Sequence, residues 1–138
     1  MAVVKDLMNP DVASIDHESM VLDAAILMKR RNVSCLIVTK NKKPVGIVTE
    51  RDLVRRVICE KKEASGTKTG DMMSTPLIAV SPLMSLEEAA DALNKSKIKK
   101  LGVVSGDKLE GVITATDILI GQTKAMKLLE RYVDLLSK

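Results

Sequence analysis

The side chains with the most chemical potential lie in two nearly identical runs, GIVTERD (46–52) and GVITATD (111–117). Each places a threonine three residues before an aspartate, Thr49 before Asp52 and Thr114 before Asp117. Each also follows a β-rich run and opens a helical one. Thr-x-x-Asp at that position caps a helix: the hydroxyl accepts a free backbone N–H, and the acid complements the helix dipole. The same spacing can turn a hydroxyl and a carboxylate toward a cleft at the sheet edge. There the Asp can accept both hydroxyls of a ribose, and free N–H groups at the helix start can hold a phosphate. The two roles are compatible, because a capping Thr can also touch a ligand. Gly46 and Gly111, lacking a Cβ, permit close approach of another backbone or of a ligand.

Other chemistries find little support. The two cysteines, Cys35 and Cys59, form no CxxC and join no Cys/His cluster, so no metal site is expected. His17 is the only histidine and has no evident partner for general-base work. There is no nucleophile–base pair and no P-loop, so we expect no enzyme and no catalytic residues. Tyr132 is the only aromatic residue, which removes the stacking platforms that single-stranded nucleic-acid binders use. The net charge of +4 suits anionic ligands, but the lysines are scattered rather than gathered in a stripe. Nucleic-acid binding is therefore the weakest of the binding readings. No apolar run approaches the ~18 residues of a membrane span, and MAVVKDLMN lacks a signal-peptide core. The expectation is a cytoplasmic protein with reduced cysteines and no membrane partner.

The elements that must position the two Thr–Asp pairs come from an internal repeat. Laying residues 4–54 on 69–119 at a constant offset of 65 makes ten positions identical without a gap. They include Asp6/Asp71, Met8/Met73, Ala24/Ala89, Ala25/Ala90, Gly46/Gly111, Thr49/Thr114 and Asp52/Asp117. Each copy starts with an extended stretch, Val12 to Asp16 or Leu77 to Ser81. A helix follows: Val21, Ala24, Ala25 and Met28, and likewise Leu86, Ala89, Ala90 and Leu93, fall at i, i+3, i+4 and i+7. Ser85 with Glu88 reads as a capping box. Two strands come next, joined at Asn41 in one copy and at Gly106-Asp107 in the other. A second helix starts near Glu50 and near Ala115. KKEASGTKT (61–69) is a polar linker. After Ile118, the residues Leu128, Leu129, Tyr132, Val133, Leu135 and Leu136 make an apolar stripe. It suits either packing on the same domain or a subunit contact.

On these residues the chain resembles a tandem pair of CBS domains, a Bateman module, of the stand-alone prokaryotic and archaeal type. The resemblance covers about residues 3–122 and rests on KDLM/GDMM, the Ala-Ala helices, the VSCLIV and IKKLGVV strands and the paired GhhTxxD runs. It implies an α+β fold: two tandem β-α-β-β-α repeats forming one pseudo-twofold module with sheets packed face to face. The expected divisions are repeat 1 at 1–60, linker 61–69, repeat 2 at 70–122 and a C-terminal helical extension at 123–138. CBS pairs commonly carry Pro in the central strand, where this chain has Ile37 and Gly102.

The resemblance also implies a ligand. CBS pairs bind adenosyl compounds, here AMP, ADP, ATP or S-adenosylmethionine, with the Asp on the ribose and the Thr close by. The residues before the central strand line the adenine and approach the phosphates: Val33, Ser34 and Cys35 in one copy, Ile98, Lys99 and Lys100 in the other. Ser14 and Ala79 occupy the position that touches the base. Because such sites cross over, one would hold Thr49, Arg51 and Asp52 with Ala79, Ile98, Lys99 and Lys100. The other would hold Thr114 and Asp117 with Ser14, Val33, Ser34 and Cys35. The first is cationic and suits phosphates; the second is neutral. The implied role is a regulatory nucleotide sensor, a homodimer acting on an unidentified protein. A ligand-free interaction or dimerisation module is the alternative.

Overall fold

The computed structural model describes the backbone of residues 2–121 and 124–137 and the side chains of residues 2–121 and 130–137. Gln122, Thr123, Lys138 and the side chains of Leu128 and Leu129 lie outside the described residues. The fold is α+β, with two three-stranded sheets of orders β1-β2-β3 and β4-β5-β6. It divides into two compact units. The first comprises Asp11–Ile78 and Gly106–Leu109; the second takes the chain start through Pro10, Ala79–Ser105 and the chain from Glu110 onward.

In the first unit, β1 (Ser14–Asp16) leads to α2 (Val21–Arg31), then to the hairpin β2 (Cys35–Lys40) and β3 (Lys43–Thr49). Strand β1 runs parallel to β2, with Ser14 opposite Ile37, and β3 runs antiparallel, with Cys35 opposite Thr49. The extended stretch expected from Val12 to Asp16 is shorter as a strand, because β2 pairs it only over Ser14–Asp16. Asn41 and Lys42, at φ 51° and 66°, make the two-residue hairpin turn whose twist matches its strands. Helix α2 ends at Asn32 in the left-handed conformation, a favoured helix stop for Asn. Its apolar stripe Val21, Ala24 and Met28 packs on Leu36, Val38 and Val48, all buried, to form the core. Burying each of the Val, Leu and Met side chains contributes about 1.5–3 kcal/mol. Helix α3 (Glu50–Asp52) continues into a π-helical stretch, Leu53–Ile58, where Cys59 N–H donates to the Val54 carbonyl. Helix α4 (Thr69–Met72) closes this unit.

The second unit repeats the plan with β4 (Ala79–Val80), α5 (Leu86–Ser96), β5 (Lys100–Ser105), β6 (Lys108–Thr114), which enters this unit at Glu110, and α6 (Ala115–Gly121). Strand β4, expected from Leu77 to Ser81, pairs with β5 only at Ala79–Val80. Ser85 Oγ caps α5 by accepting the Glu88 N–H at 3.1 Å, and the Ser85 hydroxyl donates to the Glu88 carboxylate at 3.3 Å. Leu93, Leu101, Val103 and Ile113 are core residues, and α1 (Val4–Leu7) adds Val4. Helix α7 (Lys124–Leu136) follows, with Tyr132, Val133, Leu135 and Leu136 exposed.

The short helices α1 and α4 explain the shared KDLM/GDMM motif. Each is followed by a residue that exchanges two backbone hydrogen bonds with a strand of its unit. Asn9 pairs with Val112 (2.8 and 3.0 Å), and Ser74 pairs with Ile47 (2.8 and 3.0 Å). A Cβ on Gly111 would come within 2.6 Å of the Asn9 carbonyl oxygen; one on Gly46 would come within 2.7 Å of that of Ser74. Another backbone is what both glycines admit.

Candidate functional site

The Thr–Asp pairs form closed caps in both units. Thr49 leaves β3 in extended conformation and its Oγ1 accepts the Asp52 N–H at 3.1 Å, while Asp52 Oδ2 accepts the Thr49 N–H at 2.9 Å. The second unit reproduces both bonds between Thr114 and Asp117, at 3.1 and 2.9 Å. The caps engage one carboxylate oxygen, Oδ2, in each case. Thr49, Asp52, Thr114 and Asp117 are all half-buried, so each cap lies at an accessible edge.

Within each unit, further candidate residues gather beside the cap. In the first, Glu50 N–H donates to the Ser34 carbonyl (3.0 Å), which brings Val33, Ser34 and Cys35 against the start of α3. Ser14 lies two pairs along β2 from Cys35 and is exposed, as is Arg51. In the second, Ala115 N–H donates to the Lys99 carbonyl (2.9 Å), bringing Ile98, Lys99 and Lys100 against α6. Ala79 pairs with Gly102, two residues beyond Lys100. Lys99 is exposed and Lys100 half-buried; Ser34, Cys35 and Lys100 each have a partner already.

Each unit also holds a cavity between its two main helices, beside these loops. The one in the first unit, about 590 Å³, is rimmed by Lys29, Asn32, Ser34 and Glu50. Its counterpart in the second unit, about 530 Å³, has Asn94, Lys97 and Lys99 over an apolar floor of Leu93, Ile118 and Leu119. The first rim balances a cation with an acid; the second presents two lysines.

Sequence reading missed Arg56. Its Nη1 donates to the carbonyls of Met72 (3.0 Å) and Met73 (3.1 Å), and its Nε stands 3.7 Å from Asp52 Oδ1. The available signal was its i+4 spacing from Asp52, which places opposite charges on one helix face. Among the described residues, no three His, Cys, Asp or Glu side chains gather as a metal site, and no helix is long and apolar enough to cross a membrane.

Two sheets with matched capped junctions are the architecture of a CBS pair. The chain belongs to the CBS-domain family, whose model matches residues 4–58 and 70–122. It is similar to the CBS domain-containing protein YhcV of Bacillus subtilis, 31% identical over 88% of this chain and 86% of the relative. It is 37% identical to inosine-5'-monophosphate dehydrogenase of Thermoplasma acidophilum over 81% of this chain, but that match spans only 22% of the enzyme. Among solved structures, the hexameric CBS-CP12 protein from bloom-forming cyanobacteria superposes with a TM-score of 0.81 at 30% identity, covering 87% of this chain and 67% of that one. A protein with CBS domains from Burkholderia ambifaria gives a TM-score of 0.73 at 26% identity, covering 83% and 87%. The chain is thus a CBS-pair module.

Proposed function

We propose that this CBS pair is a regulatory module that binds an adenosyl nucleotide, AMP, ADP, ATP or S-adenosylmethionine, and alters an unidentified partner protein. The observation that carries this reading is the doubled junction: Asp52 and Asp117 hold their caps through Oδ2 at half-buried edges, so that Oδ1 is the atom for ribose hydroxyls. Arg51, Lys99 and Lys100 are the cations suited to phosphates. Ser14, Val33, Ser34, Cys35, Ala79 and Ile98 serve the base, with Thr49 and Thr114 beside the ribose. Membership of the CBS-domain family supports a regulatory role, and we assign the module no catalysis. The hexameric neighbour and the exposed Tyr132, Val133, Leu135 and Leu136 support self-association, with a homodimer as the simplest form. We place the protein in the cytoplasm.

A ligand that binds only the folded chain raises its melting temperature. A thermal-shift series with the four adenosyl compounds is expected to give a rise with at least one. No shift at millimolar concentration overturns the reading and leaves the capped junctions as structural features of an interaction module. Asp52→Ala is expected to weaken binding by about 1–3 kcal/mol in calorimetry. Unchanged affinity in that variant, with loss in Asp117→Ala, moves the principal site to the second junction.

A further inference from the structure

Arg56 connects the candidate site to the chain leading out of the first unit. Its Nη1 donates to the Met72 and Met73 carbonyls and its Nη2 donates to Ser74 Oγ at 3.4 Å. Those carbonyls lie at the end of α4, where a helix has no acceptors' partners of its own, and a planar guanidinium can serve several at once. Ser74 in turn exchanges both backbone bonds with Ile47 of β3. On its other side, Arg56 Nε faces Asp52 Oδ1 at 3.7 Å, the oxygen that the Thr49 cap does not use. The Asp52 side chain is only 15% exposed, so this pairing is partly shielded from water. A continuous path therefore runs from Asp52 through the guanidinium to residues 72–74 and β3.

Resting on the ribose role given to Asp52 above, we propose that Arg56 relays occupancy of the Asp52 carboxylate to the 72–74 segment. Hydroxyls donated to Oδ1 compete for the charge that holds Nε, and the guanidinium then adjusts its hold on the Met72 and Met73 carbonyls. A ligand shifts such an equilibrium only through its different affinity for the two arrangements, and the coupling is reciprocal. Loosening the 72–74 segment must therefore change nucleotide affinity. The second unit cannot do the same. Gly121 stands at the position equivalent to Arg56, and a Cβ there would collide with the Leu7 side chain. The relay is one-sided.

Amide hydrogen exchange on the full chain, with and without AMP or ATP, tests this alongside calorimetry on the same samples. In the free protein, Arg56→Gln is expected to speed exchange of the Ser74 and Ile47 amides by about 3–10-fold. Asp52→Asn should act in the same direction but less, because the guanidinium keeps its carbonyl acceptors. Arg56→Lys should fall between, since it keeps the charge and loses the fork. AMP or ATP should change exchange at these amides in the wild type and not in Arg56→Gln. Unaltered exchange in free Arg56→Gln overturns the relay. So does calorimetric binding that leaves the wild-type Ser74 and Ile47 amides unchanged, and in that case the ribose reading stands. Absence of calorimetric binding by all four adenosyl compounds overturns both.

Discussion

Helices α1 and α4 occupy the same place in the two units and are held by the same backbone bonds. Val4 N–H donates to the Met84 carbonyl at 2.9 Å, as Thr69 N–H does to that of Ser19 at 2.8 Å; Lys5 donates to Pro82 at 2.8 Å as Gly70 does to His17 at 2.9 Å. Every pair differs by the repeat offset of 65. The side chains, by contrast, have diverged in kind. Around α1 they are apolar: Val4 is fully buried and Leu7 fills the space over Gly121. Around α4, Met72 and Met73 still pack on the core as Leu7 and Met8 do, but polar groups are added: Thr69 replaces Val4, Arg56 replaces Gly121, and the Lys68–Glu18 pair at 2.8 Å stands where the second unit has Val3 and Leu83. Backbone hydrogen bonds and close glycine contacts define the frame. Within it, one fastening is closed by apolar side chains and the other adds charged and hydroxyl contacts.

If the backbone frame is shared, breaking it should cost the same in either unit. Gly46→Ala and Gly111→Ala each push a Cβ into a carbonyl oxygen held by two hydrogen bonds, so relief requires moving backbone. Each is expected to destabilise by about 1–3 kcal/mol in denaturant unfolding. A large effect at one glycine and none at the other would show that the frames are not equivalent. The side-chain contrast predicts opposite signs at the next position. Thr69 Oγ1 is buried without a hydrogen-bond partner, at a site where its counterpart is a valine. Thr69→Val should therefore stabilise by about 1 kcal/mol, whereas Val4→Thr should destabilise by about 1–3 kcal/mol, the cost of burying an unpaired hydroxyl. A destabilised Thr69→Val would mean that the hydroxyl serves the polar fastening.

Much of this frame is legible in the sequence because its signals are local. Period-3.6 stripes mark α2 and α5, short apolar runs bounded by turn residues mark the hairpins, and Thr-x-x-Asp marks the caps that Thr49 and Thr114 make. Helices α1 and α4 escape such reading, since four residues span about one turn and show no periodicity. The partners of Gly46 and Gly111 escape it for another reason: the Ser74–Ile47 and Asn9–Val112 bridges join segments far apart in sequence, and nothing local encodes a distant backbone. The π-helical stretch after Asp52 has no signature in LVRRVI, which reads as ordinary helix. For the candidate site, the cap geometry follows from the residues themselves; the same Thr-x-x-Asp spacing admits a ribose-binding carboxylate, and the resemblance selects that role over capping alone.

The Lys68–Glu18 pair gives the smallest effect and the finest test of the polar fastening. The Lys68 ammonium donates to the Glu18 carboxylate at 2.8 Å; this hydrogen bond, then the attraction between the charges, lowers the Glu18 pKa below 4.5 and raises that of Lys68 above 10.5. A carboxylate with a depressed folded pKa stabilises above its unfolded value, and that stability is lost as pH falls through the folded value. An ammonium with a raised folded pKa stabilises below its unfolded value, and that stability is lost as pH rises through the folded value. The pair's contribution is therefore flat across the neutral range and disappears at both ends. Both groups are exposed and screened by salt, so the contribution is small. Glu18→Gln should lower the melting temperature slightly and by a constant amount between about pH 8 and pH 9; at lower pH His17, whose Nδ1 lies 3.6 Å from Glu18 Oε1, adds its attraction when protonated, and the difference closes toward strong acid and strong base. Raising the salt concentration should shrink it throughout. A difference that persists unchanged in strong acid would mean that the effect of Glu18 does not come from its charge, and the contrast with the apolar α1 would then be one of residue type without a difference in electrostatics.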